Sequence, residues 1–380
     1  MKGKGGQEFL INALCRTMIH VFIGTKAQFI KMAPILQELQ KRSKPFNLID
    51  AGQHAGLTGE LLRQFGMGEP DVVLRREHFN IKTVPQALAW SIRNFFYILF
   101  TPRRNFRRIF RNQKGVCLIH GDTLTTLLSL LYAKRCGLFV AHVEAGLRSF
   151  HLLDPFPEEI IRRVAMAASD LLFAPSASAF QNLIKMGYRK KAVLIGANTV
   201  LDSVRYAARR VKKETLPSGP YALMTIHRME TIFSCSRLKT VVEIIRSAAR
   251  ERALMFILHE PTRNQLKRFG LLNEVLRIEN VTLLPLLSYL DFIGFVVGAD
   301  YVITDGGSIQ EECYYLNKPC MVLRTRTERG EGIGENAFLA EFDKDHIEKF
   351  LRTFPTLRRR NPEDSGQPSA LIVDRILQHA

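Results

Sequence analysis

Residues 116–146 read VCLIHGDTLTTLLSLLYAKRCGLFVAHVEAG. An apolar run, Val116–Ile119, ends at the polar turn His120-Gly121-Asp122. A helical pattern follows from Thr125 to Lys134, and a second apolar run, Leu138–Val143, ends at Glu144-Ala145-Gly146. Strand, helix and strand in this order make a βαβ unit, which commits the chain to a parallel sheet with helices over its faces.

The same alternation continues on both sides. Upstream, Met18–Ile23 reads as a buried strand, and Gly24-Thr25-Lys26 turns into an amphipathic helix through Leu39, before a strand at Phe46–Asp50. Downstream come strands at Asp170–Ala174 and Ala192–Ile195. The pattern then restarts. Tyr221–Ile226 ends at His227, Leu254–Leu258 ends at His259, and Val281–Leu284 follows; Tyr301–Thr304 ends at Asp305-Gly306-Gly307, and Cys320–Leu323 ends at Arg324. Lys212–Pro220, rich in charge, proline and glycine, reads as a linker. The expectation is therefore an α/β chain of two Rossmann-like domains, residues 1–213 and 214–356. A polar stretch, Arg358–Ser369, leads to a final helix within 370–380 that is expected to pack back on the first domain. Polar and glycine-rich turns recur at the C-terminal ends of the strands, where open parallel sheets bind ligands. Two such sheets facing a cleft would hold a nucleotide between them.

The 380 residues include 54 Lys+Arg against 36 Asp+Glu, a net charge of +18. That excess favours anionic partners without choosing among nucleotide, nucleic acid and acidic membrane. No aromatic-plus-basic RNA motif and no zinc module is present, so nucleic acid is not expected as a partner. The six cysteines (Cys15, Cys117, Cys136, Cys235, Cys313 and Cys320) form no CxxC pair. They read as buried thiols of a cytoplasmic protein. The first residues, MKGKGGQEFLINALCRT, are broken by Glu8, Asn12 and Arg16 and read as a short extension before the first strand. No run reaches the ~18–20 apolar residues of a membrane span.

Two groups of residues carry chemistry. In Asp305-Gly306-Gly307-Ser308-Ile309-Gln310-Glu311-Glu312 a strand ends, two glycines admit a close approach, and a helix begins. Free N–H groups and the helix dipole there suit a diphosphate, and Glu312 could accept from a ribose diol. An ordinary βα turn with a solvated glutamate has the same sequence. The Gly24–Lys26 turn opens a second helix whose Lys26 and Lys31 could face the same phosphates. The other group is acidic. His120-Gly121-Asp122-Thr123, His142-Val143-Glu144-Ala145-Gly146-Leu147-Arg148 and Asp154-Pro155-Phe156-Pro157-Glu158-Glu159 would bring three carboxylates to one pocket if the strands are neighbours. Acid–base work at a carbon needs such groups. Taken singly, Asp122 could instead cap a helix, and Glu144 could pair with Arg148.

In order, Gly24-Thr-Lys…Lys31-Met-Ala-Pro, Gly52-Gln-His54, His120-Gly-Asp-Thr, His142-Val-Glu-Ala-Gly-Leu-Arg, Pro155-Phe-Pro-Glu-Glu, Ile226-His-Arg, Thr304-Asp-Gly-Gly-Ser-Ile-Gln-Glu-Glu and Lys318-Pro…Leu323-Arg-Thr-Arg-Thr-Glu-Arg329 resemble the UDP-N-acetylglucosamine 2-epimerase family. The resemblance runs from about Val21 to Glu335. It implies the glycosyltransferase-B architecture, a homodimer, and no metal or redox cofactor. It also implies a route: UDP is eliminated across C1–C2 to a 2-acetamidoglucal and added back with protonation on the other face. By the resemblance, the catalytic residues are Asp122, Glu144, Glu158 and His227. UDP contacts fall on Lys31, His259, Phe292, Ser308, Glu312 and Arg329. A hydrolysing relative, which releases UDP and the free 2-epimer, would need the same carboxylates. A glycosyltransferase of this architecture would need an acceptor and not three carboxylates.

The sequence also departs from the family pattern. Gly-Thr-Lys26-Ala27-Gln28 stands where Gly-Thr-Arg-Pro-Glu is usual, so the fork that binds phosphate in bidentate fashion is absent. Asp305-Gly306-Gly307-Ser308 replaces Asp-Ser-Gly-Gly, and His227-Arg228-Met229-Glu230-Thr231 replaces His-Arg-Arg-Glu-Asn. Ala55 replaces the arginine common after Gln53-His54, in a region that touches an activating UDP-sugar in bacterial members.

Gln86–Phe100 is apolar on most faces and is followed, after Pro102, by Arg103, Arg104, Arg107, Arg108 and Arg111 interleaved with Phe106, Ile109 and Phe110. A basic amphipathic helix of this kind suits weak contact of 86–111 with an anionic membrane, or else a core helix with a solvated basic face. The first would suit an enzyme that feeds envelope polysaccharide synthesis.

Overall fold

The computed structural model describes residues 18–52, 59–74, 100–151, 156–327, 329–358 and 366–379. The early extension, Gln53–Ala55, residues 86–99 and Asp154-Pro155 lie outside the described residues. The chain divides into two compact units, residues 1–203 with 365–380, and residues 204–364.

The first unit holds strands β1 (Met18–Ile23), β2 (Phe46–Asp50), β3 (Val72–Val73), β4 (Gly115–His120), β5 (Phe139–Val143), β6 (Leu171–Ala174) and β7 (Ala192–Leu194). Among the described residues they form one sheet in the order β3-β2-β1-β4-β5-β6-β7. All neighbours are parallel. The central strands are buried along their length, as near-continuous apolar runs such as VCLI should be when helices cover both faces. Strand order reverses between β1 and β4, so the turns after these two strands flank the switch point where such sheets open a crevice.

Local sequence fixes both turns. Thr25 caps the helix Lys26–Lys41 by accepting from Gln28 N at 3.2 Å. Thr123 and Thr126 form a reciprocal capping box at the start of the helix Leu124–Arg135. Gly24 has no room for a side chain: a Cβ there would lie 2.0 Å from Thr125 Oγ1. The two turns are thus packed directly on each other. The helix Pro368–Leu377 lies against Lys26–Lys41, where Arg42 pairs with Asp374, and Ser369 N donates to Asp202 at 2.9 Å.

The helix Pro102–Ile109 spends its apolar side in this unit. Ile109 and Phe110 are fully buried with Phe22, Cys117 and Ile119, while Arg103, Arg104, Arg107 and Arg108 are exposed. The exposed arginines are common to both sequence readings of residues 86–111, of which 86–99 lie outside the described residues. Among the described residues, no helix is long and apolar enough to cross a membrane.

The second unit holds β8 (Tyr221–Thr225), β9 (Ala253–Ile257), β10 (Val281–Leu284), β11 (Tyr301–Thr304), β12 (Cys320–Val322) and β13 (Ala337–Leu339). Among the described residues they form a parallel sheet in the order β10-β9-β8-β11-β12-β13. Its switch point lies between β8 and β11, so His227 and Asp305-Gly306-Gly307 flank it. Apolar clusters fill both faces, one around Leu238, Ile245, Phe256 and Phe350, the other around Tyr221, Phe295 and Val322. Two parallel-sheet α/β units are what the sequence predicts.

Candidate active site

In the first unit, Glu144 follows β5 with φ of 66°, a left-handed backbone that costs a non-glycine residue energy. Such an outlier needs support from its surroundings, and here the support is polar. The Glu144 carboxylate is paired with Lys31, accepts from Asn198 Nδ2 at 2.9 Å, and lies 3.2 Å from His120 Nε2. The Lys31 and Glu144 side chains are only 7% and 8% exposed. A buried pair of this kind adds little net stability, because desolvation offsets the attraction. What it does is fix where the carboxylate sits.

His142, on β5 two residues before Glu144, donates from Nε2 to Gly121 O at 2.8 Å. Burial pushes its pKa down to about 4, against the pull of that bond, so the ring is neutral at neutral pH. It ties the His120–Asp122 turn to β5.

Asp122 Oδ2 lies 2.5 Å from Arg162 Nη2. Arg162 projects from the helix Glu158–Ala168, and its Nη1 lies 3.5 Å from Glu159 Oε2. Glu159 is fully buried and also accepts from Arg148 Nε and from Ser149 N, the latter at 3.2 Å. Glu159 is therefore an anchor, with arginines on two sides. Glu158 opens the same helix, and its Oε2 is buried with no hydrogen-bond partner among the described residues. A carboxylate oxygen placed like this is suited to a donor from a ligand. Two sequence readings are corrected by these contacts: Thr123, not Asp122, caps the helix, and Arg148 pairs with Glu159 rather than Glu144. Lys26 is exposed at the first position of its helix, and Lys31 is engaged by Glu144.

In the second unit, Asp305 is fully buried at the end of β11. It accepts from His227 N at 3.0 Å and from Arg228 N at 2.9 Å, and its Oδ1 lies 3.6 Å from His227 Nδ1. Burial lowers the His227 pKa; Asp305 opposes that shift and Arg228 adds to it. The imidazole stacks on His259, with ring centroids 5.0 Å apart and planes 16° apart. Thr225 Oγ1 holds His259 Nε2 at 3.2 Å.

The helix Gly307–Tyr315 starts here, and its residues divide the work. Ser308 is exposed. Gln310 donates to Arg329 O at 3.1 Å and to Glu331 O at 2.9 Å, which holds the loop that carries Arg329. Glu311 is buried and accepts from Arg329 Nη1 at 2.5 Å. Glu312 is buried beside the Tyr289 hydroxyl, whose pKa is raised by burial first and then by that carboxylate. Gly306 and Gly307 leave room for their neighbours: a Cβ would come within 2.9 Å of His227 Cε1 at the first and 3.3 Å of Arg329 Cδ at the second. Gly306, Gly307, His227 and Arg329 are thus one local cluster. Phe292 is partly buried against the apolar cluster of this unit. Among the described residues, no group of three or more His, Cys, Asp or Glu side chains is placed to hold a metal.

The family model for UDP-N-acetylglucosamine 2-epimerase matches residues 37–373. The chain belongs to the UDP-N-acetylglucosamine 2-epimerase family. Relatives in this epimerase family include the enzyme of Methanococcus maripaludis, 29% identical over 94% of this chain and 98% of that one. The Bacillus subtilis enzyme is 30% identical over 94% of each. The Methanocaldococcus jannaschii epimerase solved with UDP-GlcNAc and UDP superposes with a TM-score of 0.79 at 27% identity, covering 96% of this chain and 100% of that one. The Neisseria meningitidis epimerase bound to UDP-GlcNAc gives 0.78 at 26% identity, covering 95% and 99%. A sucrose-phosphate synthase from Thermosynechococcus elongatus shares the fold alone, with a TM-score of 0.56 at 12% identity, covering 96% and 95%.

Arg162 and Asn198 are not named by sequence reasoning, and Gln28, Glu159, Asp305 and Gln310 enter it only as members of motifs, without their partners. Arg162 had a signal, because it stands four residues after Glu158 on a helix that also carries Glu159. Asn198 had none, since Glu144, to which it donates, is distant in sequence.

Proposed function

We propose that this family member inverts C2 of a UDP-2-acetamido sugar, UDP-GlcNAc to UDP-ManNAc, as a non-hydrolysing 2-epimerase. The C2 hydrogen has no adjacent carbonyl to acidify it, so direct deprotonation and return is unfavourable. Elimination avoids this. A carboxylate takes the C2 proton, the C2–H electron pair forms the C1=C2 bond, and UDP leaves with the C1–O pair. UDP then attacks C1 of the 2-acetamidoglucal, and a second acid delivers a proton to the opposite face of C2. The relatives solved with UDP-GlcNAc support this substrate.

The observation that carries the reading is the set of carboxylates at one end of the first sheet. Asp122, Glu144 and Glu158 follow β4, follow β5 and open the next helix, each with different neighbours. Arginine lies beside Asp122, lysine beside Glu144, and one oxygen of Glu158 has no hydrogen-bond partner among the described residues, so the three carboxylates have different surroundings. His227, Gly306, Gly307, Ser308 and Arg329 bind and neutralise the diphosphate. Glu312 accepts from the ribose, and His259 and Phe292 contact the uridine. The protein acts as a homodimer in the cytoplasm, in polysaccharide synthesis. Arg103, Arg104, Arg107 and Arg108, with the exposed Phe100 just before them, offer a face to an anionic membrane, while Ile109 and Phe110 are in the core.

Proton NMR of the protein with UDP-GlcNAc in D2O tests the reading. Deuterium at C2 with UDP-ManNAc as product is expected. Free UDP with ManNAc would place the enzyme in the hydrolysing branch, and no exchange at C2 would overturn the reaction.

A further inference from the structure

The buried side chain of Gln28 spans the switch point of the first sheet. Its Oε1 accepts from Gly24 N at 3.0 Å, in the turn after β1. Its Nε2 donates to His120 O at 2.9 Å and to Thr123 Oγ1 at 2.9 Å, in the turn after β4, and lies 3.3 Å from Thr126 Oγ1. Two of these partners are backbone groups with fixed roles. A backbone N–H only donates and a carbonyl only accepts, so the orientation of the amide is determined and both functions are needed. A glutamate at this position could serve Gly24 but would set an oxygen against His120 O.

The turn held in this way carries Asp122, and the helix that holds it carries Lys31, one turn on from Gln28, on the Glu144 carboxylate. We propose that Gln28 is a positioning residue for the acid/base site, fixing the Asp122 turn relative to the Lys31–Glu144 pair. The inference rests on the epimerase reading for its kinetic part only. Gln28 touches no reacting atom. Its effect is on where Asp122 sits, and displacement of a catalytic group by about 1 Å can cost on the order of 100-fold in rate.

The test compares wild type with Gln28→Glu and Gln28→Met in C2 deuterium exchange from pH 5.5 to 8.5. Protonated glutamate can donate to His120 O; ionised glutamate cannot. Gln28→Glu should therefore approach wild-type kcat at the acid end and fall by about 10–100-fold at the alkaline end, with KM little changed. Gln28→Met, which removes donor and acceptor without adding charge, should be slow at every pH. A wild-type kcat profile in Gln28→Glu would overturn the proposal. So would loss of folded protein in both variants, which would assign Gln28 to the fold rather than the site. If wild type itself shows no C2 exchange, the functional reading fails separately. Amide exchange at Gly24 and at 121–124 then decides the positioning claim, which requires faster exchange in both variants.

Discussion

Lys31, in the second turn of the helix after β1, sets its ammonium on the carboxylate of Glu144, which follows β5. The pair reaches across the end of the intervening strand β4, whose His120 lies 3.2 Å from the same carboxylate oxygen. Three strand ends of the first sheet therefore meet on one buried charge. Lys31→Met would take its cation from that buried carboxylate and is expected to destabilise the protein by about 3–5 kcal/mol. Adding Glu144→Gln should recover much of the loss without recovering activity. Urea unfolding of the single and double variants measures both effects, and equal stability of the two would contradict this account.

Arg162 is expected to govern catalysis through Asp122. It bridges Asp122 and the buried Glu159, so its position is set by the fold and not by the substrate. Arg162→Ala should lower kcat by about 10–100-fold and leave KM within a few-fold. Arg162→Lys should not rescue it, because a point charge on a flexible stem cannot hold two carboxylates in a fixed fork. Steady-state kinetics with UDP-GlcNAc would expose a mistake here through an equal change in kcat and KM.

The strands legible in the sequence were those with continuous apolar runs ending in a polar turn, and they place His120, Glu144, His227 and Asp305 correctly at strand ends. Val72–Val73 and Ala337–Leu339 were missed because two or three residues at a sheet edge carry no periodic pattern. At the site, motif order pointed to Asp122, Glu144 and Glu158 but not to the side chains that pair with them. The two local pairings suggested by sequence proximity, Asp122 as a cap and Glu144 with Arg148, both lost to longer-range contacts. Thr123 makes a better cap than Asp122 because its hydroxyl both accepts from Thr126 N and faces Thr126 Oγ1. Arg148 pairs with Glu159, eleven residues on, a fully buried carboxylate that Arg162 also approaches at 3.5 Å.

Two buried histidines predict how stability depends on pH. His20 and His142 both have pKa values lowered by burial from 6.5 to about 4. Both are neutral in the fold: His20 faces Asn47 Nδ2 with Nδ1 at 2.9 Å and Gln113 O with Nε2 at 3.0 Å. Between pH 6.5 and 4 the unfolded chain holds more protons than the folded one, so stability falls as pH falls through that window. Each contributes on the order of 1–3 kcal/mol, fully present above the unfolded value and lost by about pH 4. Histidine-labelled NMR should show both rings still neutral at pH 5.5 in the folded protein. A ring that titrates near 6.5 while the fold is intact would remove its share of the slope.

Gly306 and Gly307 should differ although they are adjacent. Gly306 has φ of −91°, a backbone that alanine adopts freely, so only space decides the outcome. A methyl at Gly306 would meet His227 Cε1 at 2.9 Å, and the ring can escape only by leaving its place on Asp305 and His259. A methyl at Gly307 would meet Arg329 Cδ at 3.3 Å, part of a flexible arm that can shift by a few tenths of an ångström. Gly306→Ala is therefore expected to lower kcat by about 100-fold through misplaced His227, and Gly307→Ala to raise KM by less than about 10-fold. Neither should change the free energy of unfolding in urea by more than about 1 kcal/mol. Kinetics of the two variants with UDP-GlcNAc, beside the His227 titration in each, would show whether the first glycine serves the histidine. If Gly306→Ala kept both the wild-type rate and the wild-type His227 titration, the ring would not depend on that space, and the close packing at the switch point of the second sheet would serve the fold alone.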